Sequence, residues 1–404
     1  MRMKRLLFTF ALAIGLSVGL TSGVFAHGER AQEAFLRQKT VAFFDVRFSA
    51  DTVKQGESLT ITGTAKILET WPPTLPEPEV AYLGVVAPGP VVVMKERIVN
   101  GKPAPGSIFV RKGGVYEFRM TVEGRRPGQW HVHPVLAIEG AGSLLGPGQW
   151  ITVQEAAGGF RNLVTLFDGR TVDLERYQTG FVVGWALFGL VLGLWWMWYW
   201  TGPKPTVTRL AVTSQLPIND DGAAVGLITK ADHRFVNVVA LLAVVLLAAG
   251  WMYIQRAFPV RIPQQVIRFE PPEIAQPLRF AEARATAATY DPDTDTLAME
   301  VEVTNLGNEP VRLVEFTTSN LTFVNRATAD PGYPHLFAVE PEGTVGPGET
   351  KRFKVSIQDP AWEDEKLIPV QQSQMSVAGV FTVQDAGGQR NRITVESSLV
   401  PTRF

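Results

Sequence analysis

Apolar and polar residues alternate without a break in Tyr116-Glu117-Phe118-Arg119-Met120-Thr121-Val122-Glu123, in residues 297–303, and in Phe353-Lys354-Val355-Ser356-Ile357-Gln358. A period of two sorts side chains onto opposite faces of a strand, so these runs predict half-buried β-strands. Gly-Pro clusters separate them: Ala87-Pro88-Gly89-Pro90, Arg126-Pro127-Gly128, Gly146-Pro147-Gly148 and Gly346-Pro347-Gly348. Such clusters mark tight turns. Short strands between regular turns imply β-sandwiches or barrels.

Two stretches carry no alternation and no charge: residues 181–200, and residues 235–254 with Asn237 as the strong polar residue. At 1.5 Å per residue, 20 helical residues cover about 30 Å, the thickness of a bilayer core. Five of the ten Trp (Trp185, Trp195, Trp196, Trp198, Trp200) lie in the first stretch, four of them at its end, where an interfacial aromatic belt belongs. Both stretches therefore predict membrane spans. Gly180, Gly184, Gly189 and Gly193 on the first form small-xxx-small pairs that let another helix approach; lipid-facing glycines are the alternative.

A third apolar run follows Arg2, Lys4 and Arg5 and closes on Val24-Phe25-Ala26, the pattern of a secretory signal cleaved after Ala26. Charges around the two spans are too evenly spread to orient them, so the signal decides the topology. The expected organisation is a cleaved signal peptide (1–26), an N-terminal periplasmic β domain (27–178), a transmembrane helix (179–200), a cytoplasmic loop (201–233), a second transmembrane helix (234–255) and a C-terminal periplasmic β domain (256–404). The fold class is mainly β with two transmembrane helices.

Composition narrows the chemistry. Lys and Arg number 38 against 39 Asp and Glu, a net charge of −1, so no basic field for nucleic acid exists. Charged residues are 19% of the chain where about 25% is usual, and the 37 Gly and 28 Pro exceed their ordinary share of about 12%, which suits turn-rich β domains. Cysteine is absent, which removes disulfides, thiolate zinc sites, iron–sulfur clusters and blue-copper thiolates together. Any metal must be held by nitrogen or oxygen, and the five His are His27, His131, His133, His233 and His335.

A short repeat links the two β domains. Ile151-Thr152-Val153-Gln154-Glu155-Ala156-Ala157-Gly158-Gly159-Phe160-Arg161-Asn162 returns as Phe381-Thr382-Val383-Gln384-Asp385-Ala386-Gly387-Gly388-Gln389-Arg390-Asn391, one residue shorter. Duplication is one reading and chance likeness between β domains the other. Upstream of the first copy lies Trp130-His131-Val132-His133-Pro134, whereas the expected counterpart at 362–371 has no His.

In a strand, residues two apart share a face, so His131 and His133 present two imidazoles side by side. Alone, the pair reads more readily as two surface histidines. Cleavage after Ala26 changes the weighting, because it makes His27 the first residue and frees its α-amino group. That group has an ordinary pKa of about 7.7 to 8.0, so baring its lone pair at neutral pH costs only about 1.4 kcal/mol, which metal binding exceeds. An all-nitrogen set of His27, His131 and His133 suits Cu(II), which heads the affinity order and tolerates tetragonal geometry, with zinc as the competitor. Asp291-Pro292-Asp293-Thr294-Asp295 superficially matches a calcium loop, but Thr296 stands where Gly is required, so a hairpin turn is expected. His233 and His335 read as structural.

The signal followed by His27-Gly28-Glu29-Arg30, then Arg125-Arg126-Pro127-Gly128-Gln129-Trp130-His131-Val132-His133, then Gly146-Pro147-Gly148-Gln149-Trp150-Ile151-Thr152-Val153, resembles the B subunit of the copper-dependent membrane monooxygenases, the particulate methane monooxygenases and their ammonia-oxidising relatives. The resemblance covers essentially the whole chain. It implies two cupredoxin-like β domains joined by a membrane helical hairpin, and copper held by the amino terminus and ring of His27 with His131 and His133. It implies helical membrane partners, the family's A and C subunits, in a trimer of heterotrimers within an inner or intracytoplasmic membrane. The implied reaction inserts one oxygen atom of O2 into a strong C–H or N–H bond of methane, ammonia or a short alkane, and Trp130-His131-Val132-His133 looks more like methane than ammonia oxidisers. Where some members place another His fifteen residues after the first, this chain has Ala42, which speaks against a second copper position. The competing reading is a membrane-tethered copper chaperone or electron-transfer protein without oxygenase partners.

Overall fold

A computed structural model describes residues 32–166, 168–201, 211–212, 214–215, 229–259, 268–274, 279–368 and 375–402. The expected signal peptide, His27, and most of the loop between the two spans lie outside the described residues. Contacts divide the chain into two units, one of Met1–Phe160 with Val266–Phe404 and one of Arg161–Gln265.

The first unit opens with a short helix, α1 (Ala34–Lys39), followed by β1 (Val41–Phe48), β2 (Thr52–Lys54), β3 (Ser58–Ile67) and β4 (Val80–Val86). It continues through β5 (Val92–Val99), β6 (Lys102–Pro103), β7 (Ser107–Phe109), β8 (Val115–Gly124), β9 (Gly128–Ile138), β10 (Gly142–Leu145) and β11 (Gln149–Gln154). One sheet runs β1-β3-β8-β5-β6 and the facing one runs through β7-β4-β9-β11-β2, with β10 paired to β9. The predicted alternation at 116–123 is β8, whose even-numbered side chains are buried along its length. Leu59, Ile61, Met120, Val122 and Ile151 fill the space between the sheets, each 0 to 1% exposed.

The second unit holds a small hairpin, β12 (Leu163–Thr165) and β13 (Thr171–Asp173), and two helices, α2 (Thr179–Thr201) and α3 (Lys230–Ala257). Both helices are long and apolar enough to cross a bilayer. They run antiparallel: Phe181 stacks on Tyr253 at 4.8 Å, and Tyr199 on Phe235 at 3.6 Å. A Cβ on Gly250 would stand 2.7 Å from the Trp185 ring, so that glycine is what lets the ring seat. The Thr229 side chain and Asp232 form a reciprocal cap on α3, and Tyr199 donates its hydroxyl to Asp232 at 2.8 Å. A carboxylate at the start of an apolar helix is thereby fully bonded. At Gly180, Gly184, Gly189 and Gly193 an added Cβ would meet nothing within 4 Å.

After the helices the chain rejoins the first unit. β14 (Arg268–Phe269) adds parallel to β7. Then β15 (Ala281–Asp291), β16 (Thr296–Asn305), β17 (Val311–Thr318), β18 (Leu321–Asn325), β19 (Leu336–Glu340) and β20 (Thr350–Gln358) lead to a one-turn helix, α4 (Ala361–Asp364), and to β21 (Ser376–Asp385) and β22 (Arg390–Pro401). These strands close a barrel in the order β15-β16-β20-β19-β18-β17-β21-β22. The alternations expected at 297–303 and 353–358 are β16 and β20, and Asp291 to Thr296 is the hairpin turn between β15 and β16. Trp362, Phe316, Phe323, Phe337 and Phe381 make the barrel core, all 0% exposed.

The repeat shares its side-chain pattern and not its surroundings. Ile151 and Val153, like Phe381 and Val383, face the core. β11 lies between an antiparallel β9 and a parallel β2, whereas β21 lies between antiparallel β17 and β22. The segment expected to match the His-bearing strand opens in the helix α4, and its described residues, 362–368, form no strand.

The barrel packs on the first sheet through Phe44 and Val380, with the Arg392 guanidinium 4.1 Å over the Phe44 ring and bonded to Asp45 at 2.6 Å. Beside it Lys66 reaches Glu69 at 3.1 Å and Thr394 at 3.2 Å, and Thr394 donates to Glu69. Burial alone raises the Glu69 pKa, but the Thr394 hydroxyl and the Lys66 charge outweigh it and hold the carboxyl below its ordinary value. A lowered pKa stabilises the folded state at every pH above the ordinary carboxylate value, and that contribution is lost as pH falls through the lowered one. Glu69→Gln is therefore expected to lower the melting temperature of the purified protein at pH 7 and to lower it by less at pH 3. An equal deficit at both pH values would contradict the ionised contact.

Candidate metal centre

The Arg126-Pro127-Gly128 turn delivers the chain into β9, where Trp130 is pinned by donating its indole N–H to the Arg126 carbonyl at 2.9 Å. His131 lies opposite Trp150 of β11, and the two rings are 5.0 Å apart. His133 lies opposite Val86 of β4. The two imidazoles meet edge to face, 4.3 Å between centroids, as the two-residue spacing requires. His133 is 6% exposed and His131 is half-buried.

Hydrogen bonds fix the state of His133. Its Nδ1 lies 2.9 Å from the Gly146 carbonyl oxygen. A carbonyl only accepts, so Nδ1 carries the proton and Nε2 of the neutral ring keeps the lone pair. That is the arrangement in which metal-binding imidazoles are held, one nitrogen on a carbonyl and the other on the ion. Nε2 lies 2.9 Å from His131 Nδ1. That is an N–H···N hydrogen-bond distance, with the His131 Nδ1 proton donated to the bare His133 Nε2; an ion bound by the pair would replace that proton.

The segment Gly146-Pro147-Gly148, between β10 and β11, straps His133 in place. Gly146 donates its N–H to the Pro134 carbonyl at 2.8 Å, which docks the strap on β9. A Cβ on Gly148 would fall 2.3 to 2.7 Å from three atoms of the His133 ring, so only glycine admits the ring at this position. The sequence marks this segment as a turn; its role as the wall of an imidazole pocket, and that of Trp150 as the neighbour of His131, is visible only in the folded chain.

Of the expected ligands, His131 and His133 are brought together and His27 lies outside the described residues. Among the described residues no group of three or more His, Cys, Asp or Glu is arranged to hold a metal. Gln32 is the first described residue. Its side chain donates to the Ser143 carbonyl in β10, the strand that leads into the strap. His27 is five residues before Gln32, a reach of at most about 17 Å. His233 sits in the first turn of α3, and His335 bonds Asp359 at 2.7 Å just before β19. In the Asp291 to Asp295 turn, the Asp293 N–H bonds Asp291 and the Tyr290 hydroxyl bonds Asp295, as a hairpin requires.

A family model for the monooxygenase B-subunit protein matches residues 28–403. The particulate methane monooxygenase alpha subunit of Methylococcus capsulatus (strain Bath) is 33% identical over 408 residues, spanning 96% of this chain and 97% of that protein. Among solved structures, the cupredoxin domain of amoB from Nitrosocaldus yellowstonii aligns with 17% identity over 32% of this chain and 96% of that domain, at a TM-score of 0.26. A cohesin module of a Clostridium perfringens glycoside hydrolase aligns with 9% identity over 29% of this chain and 99% of the module, at a TM-score of 0.18.

Proposed function

The chain belongs to the monooxygenase B-subunit family, and from that premise we propose that it is the copper-binding member of a membrane-bound complex that hydroxylates methane, or else ammonia or a short alkane, with O2. The observation that carries the copper assignment is the pair of ring nitrogens 2.9 Å apart, one of them left with its lone pair by the Gly146 carbonyl. An all-nitrogen, thiolate-free ligand set suits Cu(II), with zinc as the competitor. His27 supplies the remaining nitrogens, through its ring and through the amine freed by cleavage after Ala26; the anchorage of Gln32 at β10 supports that reach.

Copper bound here supplies a redox-active centre for dioxygen chemistry. The chain's own residues hold it: His131 and His133 give nitrogen lone pairs, Gly146 sets the His133 tautomer, and Gly148 and Trp150 confine the rings. The centre serves the complex by stabilising it, or by relaying or loading copper for sites in partner subunits. A methane-sized apolar substrate partitions into lipid, and this centre is built in a β-sheet whose strands are not the apolar helices; polar groups inside membrane spans mark the substrate pathways of membrane enzymes.

Both β domains lie on the periplasmic side of an inner or intracytoplasmic membrane, and α2 and α3 pack with the helical A and C subunits in a trimer of heterotrimers. Purification from native membranes in mild detergent tests the reading. Two co-purifying helical subunits and O2 uptake that depends on methane are expected, with a weaker response to ammonia. A copper protein that purifies alone and shows no substrate-dependent O2 uptake contradicts it, in favour of a tethered chaperone or electron carrier.

A further inference from the structure

The barrel meets the first sheet over a cleft of about 590 Å³, a size that holds small ligands. Two rows of side chains face it, because alternate residues of a strand share a face. From β22 come Arg390, Arg392 and Thr394, and from β3 come Thr64 and Lys66; Phe44 and Val115 add an apolar wall. Among the described residues its charged lining is Lys66, Arg279, Arg390 and Arg392 against Glu69, four cations to one carboxylate. None of these belongs to the metal centre.

The lining stays positive although each cation has a carboxylate near it. Lys66 is 8% exposed, and a buried ammonium demands close countercharge. Its Nζ lies 3.1 Å from Glu69, 3.2 Å from the Thr394 hydroxyl and 3.4 Å from the Arg392 carbonyl, where charge-assisted bonds run about 2.7–2.9 Å. The Glu69 side chain is itself 54% exposed, so water screens the one carboxylate of the lining. Arg390 pairs through Nη1 with Glu315 at 3.0 Å, Arg392 through Nη2 with Asp45 at 2.6 Å, and Arg279 through Nη2 with Glu282 at 3.1 Å. Those three carboxylates lie outside the lining, so they grip the guanidiniums without filling the cleft with negative charge. Arg392 Nε is buried with no hydrogen-bond partner, a deficit that an ion pair serving stability alone would not carry.

We propose that this cleft binds a phosphate group. A planar guanidinium presents five N–H donors in a fork that matches phosphate oxygens, and Arg390 and Arg392 each commit one nitrogen to a carboxylate. Lys66 adds a compact charge whose pull is strengthened by burial, since less water surrounds it. Phosphate oxygens supply the countercharge that Glu69 gives only at long range. The volume and the Phe44 and Val115 wall leave room for an organic body, so a free phosphate ion and the headgroup of an anionic phospholipid present the same chemistry here. The proposal stands apart from the copper reading, and its test uses no metal.

The test titrates the intact protein, purified from native membranes in mild detergent and chloride buffer, with inorganic phosphate and separately with dihexanoyl phosphatidic acid, read by calorimetry. Saturable binding of either supports the site: tighter binding of the ion assigns it to free phosphate, and tighter binding of the short-chain lipid assigns it to a headgroup. Arg390→Gln, at a guanidinium 45% exposed, is expected to fold as the parent does and to weaken binding about tenfold. Lys66→Met, which keeps the stem and removes the charge, is expected to weaken it at least as much; where that variant does not fold, Arg390→Gln decides alone. Arg352→Gln, on β20 and outside the lining, is expected to bind as the parent does. Absence of saturable binding of both probes to the parent overturns the proposal, and so does equal affinity in the parent, Arg390→Gln and Arg352→Gln.

Discussion

Gly148→Ala is expected to weaken copper binding by about a hundredfold, an effect comparable with loss of a ligand-orienting residue, although no ligand is changed. The methyl group would stand 2.3 Å from Cε1, 2.5 Å from Nδ1 and 2.7 Å from Nε2 of His133. Those separations are far inside van der Waals contact, and the strap is anchored at Gly146 to the Pro134 carbonyl, so the imidazole is what moves. Displacing it breaks the bond from Nδ1 to Gly146 and carries Nε2 away from His131 Nδ1. Overpacking of this kind costs about 1–3 kcal/mol of stability, so the chain still folds and the loss reads out at the metal. Chelator competition on the purified complex measures it. Gly84→Ala on the adjacent strand is the comparison: its Cβ meets Tyr82 and Val135 at ordinary distances of 3.4 and 3.5 Å, and its copper affinity is expected to match the parent. Equal affinity in both variants would contradict the pocket described for His133.

The largest expected loss of stability is at Trp362. Its ring is 0% exposed, stacks on Phe323 at 5.0 Å and donates its indole N–H to the Ile357 carbonyl at 3.3 Å. Trp362→Ala removes the ring and leaves a cavity in the middle of the barrel core, a change that costs about 3–5 kcal/mol. In a β domain of this size that lowers the melting temperature by about 10 °C. Trp150→Ala, the same substitution at a side chain 43% exposed, is expected to shift the melting temperature by no more than about a degree or two while altering the neighbourhood of His131. Thermal unfolding of the two purified variants distinguishes them. Similar shifts in both would contradict the burial assigned to Trp362.

What was legible in the sequence is what depends on local period. β8, β16 and β20 follow from strict alternation, α2 and α3 from uninterrupted apolar runs as long as a bilayer core is thick, and the His131 and His133 contact from a two-residue spacing in a strand. What was not legible depends on partners far along the chain. Nothing in the local sequence marks Arg37 and Gln38 for burial, because their partners, Glu365, Leu367 and Ala378, are more than 300 positions away. Closure of the barrel through the parallel pairing of β15 with β22, Ala288 opposite Leu399, has no local signal. Gly148 illustrates a different limit: glycine between turn residues predicts a turn, and its second task, leaving room for an imidazole, belongs to the ring's position and not to its own neighbours. The repeat is silent on connectivity for the same reason, since its two similar strands sit in sheets of different pairing.

The proposed function requires above all that His131 and His133 be ligands of one copper ion. Copper per chain in the purified complex, measured for the parent and for the His131→Ala and His133→Ala variants at equal recovery of all subunits, tests this directly. The expected result is loss of one copper per chain in each variant, with no further loss when the two are combined. Copper content equal to the parent in the combined variant would contradict it.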